Sequence, residues 1–314
     1  MNYLARIADM VVNRPLLVLP SKLSTIAMIL DGRIGIDATG LDEFHEVERA
    51  LPAGSRFVGE FAPIDPHRPG MGVKPYRTTE AGVAILPLLG SLVHRASYLD
   101  ALSGLTSYER FSHLISLAAD DPDVASIVID VDSPGGVAIG AFEAADAVRS
   151  AVNRKIVVAV ANGLCCSAAY AIASAASRIV AVQDAVVGSI GVVLMHADHS
   201  KRLDKAGVAV TLIHAGARKV DGNPYQGLTG EVAAELQREV EKLMDLFVAT
   251  VERGRPALTA KAARALEART YLGADAVKVG LADEVGSFVG TVRDLDRVSP
   301  LHGLAKVTAI GGRR

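Results

Sequence analysis

A serine lies where an apolar run of the sequence gives way to an alanine-rich one. Ser167 sits in the segment CCSAAY, a few residues after the strand-like run IVVAVA. Acyl transfer needs a nucleophile, a base that takes its proton, and fixed donors for the oxyanion. A hydroxyl at the junction of a strand and a helix suits the first of these roles. The same position also suits an ordinary helix N-cap, so Ser167 is a candidate nucleophile with capping as the alternative.

Two further motifs have the chemistry to complete such a site. A Ser-Pro-Gly-Gly loop is predicted at residues 133–136, and consecutive glycines let the backbone turn its N–H groups into a cavity. Lys219, in AGARKVDGNPY, follows the run VAVTLIHAG, which predicts a strand. Either motif alone indicates little, because glycine pairs form plain turns and most lysines are solvated surface charges.

The elements that must position these residues alternate between short β-branched runs and amphipathic helices from Gly82 onward. The strand-like runs include GVAILPLLGSLV, ASIVIDVD and IVVAVA. Such alternation is typical of βαβ units around a parallel sheet, so the predicted fold class is α/β. A long amphipathic helix is predicted from Thr229 to about Arg253, because apolar residues recur there at steps of three and four.

The first 80 residues lack this alternation. Four prolines and two glycines punctuate residues 63–75, which predicts an N-terminal arm and linker over residues 1–80. The alternating region predicts the main domain over residues 81–290. Residues 291–314 are assigned to a C-terminal tail.

Composition and charge argue against several functions. The formal net charge is −2, so the chain has no broad cationic field for nucleic acid or an anionic membrane. Residues 156–177 are uncharged, but their polar and small residues favour a buried strand, turn and helix over a membrane span. Cys165 and Cys166 are adjacent, which predicts no disulfide framework and fits a reducing compartment. The N-terminal residues show no export signal.

Taken in order, the motifs resemble those of the S49 peptidases. The order is SPGG, then SAAY about thirty residues later, then GSIGVV, then AGARK, whose Lys219 lies 52 residues after Ser167. The segment ERGRPALTAKAARALEARTYLGADAVKVGLADEVG is similar to the C-terminal signature of the family, so the resemblance covers roughly residues 82–290. The tracts SAAYAIASAAS and KVDGNPY look closer to the phage and prophage capsid maturation proteases than to the membrane-anchored signal peptide peptidases.

The resemblance implies a ClpP/crotonase-like spiral of βαβ units and a serine endopeptidase with a Ser/Lys dyad. Ser167 falls on the nucleophile, Lys219 on the general base, and Ser189 on a serine that orients the lysine. Gly136 falls on an oxyanion-hole donor, with the N–H of Ala168 as the second donor. A lysine base must be neutral, so burial in apolar surroundings is expected to lower its pKa from the ordinary value of about 10.4.

The chain departs from the family pattern at two positions. Ala168 stands where many members have glycine, and Ala215 replaces the serine before the glycine that precedes the lysine. The first change keeps a backbone N–H donor but reduces backbone freedom, and the second removes one hydroxyl partner of the amine. Neither change removes a residue to which the resemblance assigns a catalytic role.

Several alternatives stay open at this point. His196, 29 residues after Ser167 and near Asp198, is the candidate base of a ClpP-type Ser/His protease. Cys166 becomes the nucleophile if the register slips by one. The same fold also serves crotonase-type acyl-CoA enzymes, although these generally use glutamates that are missing near SPGG and CCSAAY. An inactive, peptidase-like assembly protein is the non-enzymatic reading.

The expected partners follow from the same resemblance. A protein or peptide substrate is expected, with capsid or scaffold proteins as the family-based candidates, and no nucleic acid. The long helix after Thr229 is a candidate surface for a homo-oligomer. The histidines show no metal spacing such as HExxH, so neither a metal nor another cofactor is expected. The expected location is the cytoplasm of a bacterium or of an infected bacterial host.

Overall fold

One sheet organises the part of the chain that a computed structural model describes, namely residues 11–30, 74–95 and 105–299. Its strands are β1 (Pro15–Val18), β2 (Arg77–Thr78), β3 (Val83–Val93), β4 (Leu105–Ser107), β5 (Ser126–Val137), β6 (Ile156–Cys166), β7 (Arg178–Ala181), β8 (Val186–Gly188), β9 (Val193–Leu194), β10 (Thr270–Leu272) and β11 (Glu284–Val285). Its helices are α1 (Pro20–Leu30), α2 (Tyr108–Asp120), α3 (Ala141–Val152), α4 (Ala168–Ala173), α5 (Ser200–Lys205), α6 (Gly230–Gly254), α7 (Ala260–Ala265), α8 (Gly273–Lys278) and α9 (Phe288–Val298).

The centre of the sheet is parallel. β5 pairs in parallel with β3 on one side and β6 on the other, and β6 pairs in parallel with both β7 and β8. Antiparallel pairs occur further out, where β10 adds to β8 and where β1 adds to β5 and β9. The predicted α/β class is confirmed, and the mostly parallel sheet with its helices is consistent with the predicted ClpP/crotonase-like fold.

Both faces of the central strands are buried. Along β5, Ile127 and Ile129 belong to the main core, which also includes residues of α2, α3 and α4. Val128 points to the opposite face, where it packs in a second cluster with Phe288 and Val292 of α9. Because successive side chains of a strand alternate between faces, a sheet covered on both sides needs continuous apolar runs. This explains the continuous apolar runs at residues 127–129 of β5 and 156–161 of β6.

The N-terminal segment contributes a strand to this sheet. In β1, Leu16 pairs with Val137 of β5 and Leu17 pairs with Gly136, while the other edge of β1 pairs with β9. Its side chains form a third apolar cluster that includes Val18 and Leu23. The proline-rich residues 63–72 lie outside the described residues. The division of the chain at residues 80 and 290 stays a prediction, but β1 and α9 both pack on the central sheet.

Two predicted elements differ from the structure. Residues 208–216, predicted as a strand, are irregular and largely exposed, and Ile213 is 97% exposed. A β-branched run becomes a strand only where a neighbour accepts its backbone hydrogen bonds, and within residues 11–30, 74–95 and 105–299 no strand pairs with this segment. Residues 133–136, predicted as a loop, instead continue β5 as far as Val137. Gly135 permits this because its φ of 100° bends the strand without ending it.

Other predicted elements agree with the structure. The long helix is α6, and the hydroxyl of Thr229 accepts a hydrogen bond from the N–H of Val232 as its N-cap. The uncharged residues 156–177 form β6, the turn at Ser167 and α4. Among the residues the structure describes, no helix is both long and apolar enough to cross a lipid bilayer.

Candidate active site

Ser167 occupies a strained turn between β6 and α4. Its φ of 55° and ψ of −118° are unusual for a residue with a side chain, and its hydroxyl makes no capping bond to the helix. The hydroxyl instead donates to the carbonyl oxygen of Gly191 at 3.5 Å. Ser167 therefore stands at the N-cap position of α4, but its side chain does not cap the helix.

β8 holds the turn in place. Cys166 pairs with Gly188, and the N–H of Ser167 donates to the carbonyl oxygen of Gly188 at 2.8 Å. Gly188 has a φ of 126°, and a Cβ there would lie 2.6 Å from the carbonyl oxygen of Arg269. Only glycine fits this position, and it allows β8 to pass close beside the turn.

The end of β5 runs along the other side of Ser167. A Cβ on Gly135 would lie 3.0 Å from the Cβ of Ser167, and a Cβ on Gly136 would lie 1.8 Å from the carbonyl oxygen of Leu92. Neither glycine accepts a side chain without movement of the backbone. The two glycines of the SPGG motif are therefore required for the close approach of β3, β5 and the turn at Ser167.

Ser133 fixes this strand end and was missed as a site residue by sequence analysis. Its hydroxyl donates to the carbonyl oxygen of Gly90 at 2.6 Å and accepts from the N–H of Gly135 at 3.1 Å. The side chain is fully buried. The only signal in the sequence was its place as the first residue of SPGG, which was read as part of a turn.

The two predicted oxyanion donors lie at the elements that meet here. Ala168 is the first residue of α4, and the first N–H groups of a helix have no acceptor within the helix. Gly136 lies in the ladder between Leu92 of β3 and Leu17 of β1. The structure thus brings Ser167 and Ala168 close to the end of β5 that contains Gly135 and Gly136, which we call the glycine strand.

Ser189 lies next to the same turn. It directly follows Gly188, the last residue of β8, which pairs with Cys166 immediately before Ser167. Its φ is 54°, its N–H donates to the carbonyl oxygen of Arg269 at 2.9 Å, and it is only 3% exposed. A buried serine held in a strained conformation near Ser167 suits the predicted orienting role.

Lys219 is not placed with these residues. It is exposed in the irregular segment that joins α5 to α6, and no hydrogen bond joins its amine to Ser167 or Ser189 within the described part of the chain. The adjacent Arg218 pairs with Glu231 at the start of α6. The expected burial of Lys219 in apolar surroundings is therefore wrong within a single chain. Residues 208–216, which were predicted to form the strand before Lys219, do not form one.

His196, the alternative base, contacts the N-terminal segment. Its Nδ1 lies 3.0 Å from Oδ1 of Asn13, while its Nε2 is buried with no hydrogen-bond partner among the described residues. The hydroxyl of Ser167 bonds to Gly191 rather than to this ring. The structure therefore does not assemble the Ser/His pair of a ClpP-type protease.

The cysteines are unsuited to nucleophilic attack. Burial raises the pKa of Cys166 to about 12, and burial together with its neighbour raises the pKa of Cys165 well above its ordinary value. The thiol of Cys166 donates to the carbonyl oxygen of Val186 at 3.3 Å. Because the thiolate is the reactive form, the alternative with Cys166 as nucleophile is disfavoured.

A cleft of about 700 Å³ opens beside the turn. One wall is formed by residues 190–194, which include the Gly191 that accepts the bond from Ser167. The lining also includes Leu236, Val240 and Met244 of α6. It includes polar and charged side chains as well, among them Gln237, Glu241 and Arg264, and a cleft of mixed polarity next to a buried hydroxyl is a candidate binding site.

Comparison with known proteins agrees with this geometry. The sequence profile of peptidase family S49 matches residues 150–300. Capsid assembly protease C of Escherichia phage lambda is 36% identical over 286 residues, which cover 90% of this chain and 63% of that protein. Head-tail preconnector protein GP5 of Enterobacteria phage P21 is 34% identical over 275 residues, covering 87% of this chain and 53% of that protein.

A third relative is Protease 4 of Haemophilus influenzae, 25% identical over 221 residues that cover 69% of this chain and 34% of that protein. The chain spans less than two thirds of the length of each of these three relatives. The matched region contains Ser167, Ser189 and Lys219, and the similarity to the phage proteins extends over most of the chain. Over residues 150–300, the chain is similar to peptidase family S49.

Proposed function

We propose that the chain is a serine endopeptidase in which Ser167 is the nucleophile and Lys219 is the general base. One observation carries the proposal: the hydroxyl of Ser167 makes no capping hydrogen bond to α4, although the residue occupies the N-cap position in a strained turn. Strain of this kind persists only where the surrounding structure imposes it, and it concentrates at active sites. Here β8 and the glycine strand impose it from two sides.

In the proposed mechanism, Ser167 attacks the carbonyl carbon of the scissile bond and transfers its proton to the neutral amine of Lys219. The N–H groups of Gly136 and Ala168 donate to the resulting oxyanion. The protonated Lys219 then gives its proton to the leaving amine, which leaves an acyl group on Ser167. Lys219, neutral again, takes a proton from water, the hydroxide attacks the ester carbonyl, and the protonated lysine gives its proton to the oxygen of Ser167 as the acid leaves. Ser189 orients the lysine amine throughout.

The lysine has to reach the nucleophile for this mechanism to operate. Its segment lies on the surface of this chain, so the amine reaches Ser167 either when the segment closes over the turn or from a second copy of the chain. The predicted homo-oligomer through α6 is compatible with the second route, because Leu236, Val240 and Leu243 are only half-buried. Mixing Ser167→Ala with Lys219→Ala separates the routes: recovered hydrolysis indicates an amine from another copy.

A fluorophosphonate probe tests the enzyme class. Mass spectrometry after long incubation is expected to find the probe on Ser167, and Ser167→Ala is expected to stay unlabelled. A crotonase-type acyl-CoA enzyme or an inactive assembly protein has no activated serine. An unlabelled wild-type chain that also fails to cleave any peptide library would therefore contradict the proposal.

Capsid or scaffold proteins of a phage or prophage are the proposed substrates. The support is the similarity to a phage protein named capsid assembly protease C and to a second phage head protein. The proposed site of action is the cytoplasm of the bacterium or of the infected host. Incubation with the capsid and scaffold proteins encoded beside this chain is expected to yield cuts that Ser167→Ala does not make. Intact proteins after incubation with a probe-reactive enzyme would contradict this substrate assignment.

A further inference from the structure

The N-terminal strand fills a slot between two other strands. β6 pairs with β5 as far as Ser133, and β1 then takes its place along residues 135–137. The opposite edge of β1 pairs with residues 193–194 of β9, so β1 is the strand through which β9 joins the sheet. Without β1, both neighbours would present unpaired backbone groups, which is the arrangement that accepts an extended peptide.

The same strand covers the nucleophile. A Cβ on Gly135 would lie 2.1 Å from the carbonyl oxygen of Leu17 and 3.0 Å from the Cβ of Ser167, so β1 and the nucleophile converge on one glycine. Ser167 is fully buried, as is Leu17. A protein substrate cannot reach Ser167 while β1 is in place.

The main chain of β1 is bound as a peptide would be. It is extended and antiparallel to both neighbours. At its ends, the N–H of Leu19 donates to the carbonyl oxygen of Pro134 at 2.9 Å, and the carbonyl oxygen of Pro15 accepts from the N–H of Ala138 at 3.2 Å. The side chain of Asn13 adds an anchor by donating to the carbonyl oxygen of Gly222 at 2.7 Å.

We propose that the slot between β5 and β9 is the peptide-binding cleft and that residues 15–18 occupy it as an internal substrate mimic. This inference rests on the proposed role of Ser167. Hydrolysis requires β1 to leave the slot, and the incoming substrate replaces it as an extended segment paired on both edges. Because Leu16, Leu17 and Val18 are buried there, the cleft is suited to apolar segments.

A reversible disulfide across the slot tests the proposal. Leu16 and Val193 are directly opposite residues of β1 and β9, so Leu16→Cys with Val193→Cys is expected to lock β1 in place when oxidised. The matched control is Thr78→Cys with Ala84→Cys, an opposite pair on β2 and β3. The readout is the rate at which a fluorophosphonate labels Ser167.

The locked variant is expected to label at least about tenfold more slowly when oxidised than when reduced, because opening of the slot is blocked. The control pair is expected to label equally in both states. Equal labelling of the slot variant in both states would overturn the inference while leaving the proposed function intact. Absence of labelling in every variant and in the wild-type chain would instead overturn the proposed function and the inference with it.

A second pair of variants loosens the strand. Val18 is 7% exposed in the small cluster that holds β1, and Val292 is 8% exposed in the cluster on the opposite face of the sheet. Val18→Ala is expected to speed labelling by roughly tenfold, since lost methyl groups favour the open state. Val292→Ala is expected to label at the wild-type rate. Wild-type labelling by Val18→Ala would count against the inference.

Discussion

The hydroxyl oxygen of Ser167 lies 3.5 Å from the carbonyl oxygen of Gly191, to which it donates. This is long for a hydrogen bond between oxygen atoms, whose usual separation is about 2.7 to 2.8 Å. A hydroxyl held so loosely is free to turn toward a base. Gly191 also lies between Ser189 and β9, so the nucleophile faces the gap between the ends of β8 and β9.

Ser167→Ala is expected to abolish peptide hydrolysis and leave the fold intact. The hydroxyl caps no helix, and alanine keeps the same Cβ in the strained turn, so the free energy of unfolding should change by less than about 1 kcal/mol. Peptide turnover and thermal denaturation measure the two effects. Ser174→Ala is the control, since Ser174 is equally buried and bonds only within its own turn. Residual turnover by Ser167→Ala would exclude this serine as nucleophile.

Lys219→Ala is expected to reduce turnover nearly as much as loss of the serine, because without a base the hydroxyl keeps its proton. Lys219→Arg should not restore activity, since a guanidinium stays charged at any useful pH. Lys201→Ala, which removes another exposed lysine, is the matched control. If His196→Ala is inactive while Lys219→Ala turns over normally, a ClpP-type triad replaces the dyad.

Ser133→Ala is expected to lower kcat more than it raises KM. Its hydroxyl ties the glycine strand to Gly90, and a displacement of about 1 Å near the reacting atoms can cost about 100-fold in rate. A purely structural role would instead lower the melting temperature without separating kcat from KM. Steady-state kinetics on one peptide, with thermal denaturation in parallel, distinguishes these results.

Cys166→Ala is expected to retain full activity. Burial raises the pKa of this thiol to about 12, so almost no thiolate exists near neutral pH. Iodoacetamide should accordingly leave the folded wild-type enzyme active. Rapid inactivation by iodoacetamide that Cys166→Ala prevents would show that the thiol lies open to the site.

Stability is expected to fall between about pH 4 and pH 2. Burial alone would raise the pKa of Asp121, but hydrogen bonds from Lys74 and Tyr76 outweigh it and lower that pKa from 3.8 to about 2. A depressed carboxyl pKa stabilises the fold above the unfolded value, and the contribution is lost as pH falls through the folded value. Melting temperatures of wild type and Asp121→Asn from pH 5 to 2 test this. The variant should show the smaller decrease.

Local pattern was enough to predict the parallel sheet and the junction of strand and helix at Ser167. The apolar runs of β3, β5 and β6 can be recognised in the sequence because both faces of these strands are buried. The helix α6 can be recognised from the spacing of its apolar residues. The junction made Ser167 a candidate, and the resemblance of the ordered motifs to the S49 peptidases, not the junction alone, assigned it the role of nucleophile. Each of these features depends on neighbours in sequence.

The remaining features depend on partners far along the chain. Residues 208–216 have the composition of a strand, yet no strand of the described part of the chain pairs with them, so composition alone led to the wrong element. The burial of Lys219 was expected for a different reason, namely that a lysine base has to be neutral. In the same way, residues 15–18 carry too short an apolar run to reveal that β5 and β9 enclose them.

The pairing of β1 also sets an order of events in biosynthesis. Leu17 precedes its partner Gly136 by 119 residues, and Leu16 precedes Val193 by 177. A strand that leaves the ribosome this early has to wait for both partners, and closing such long loops is slow. We therefore expect Ser167 to be shielded only near the end of folding, after the turn and its supporting strands have formed.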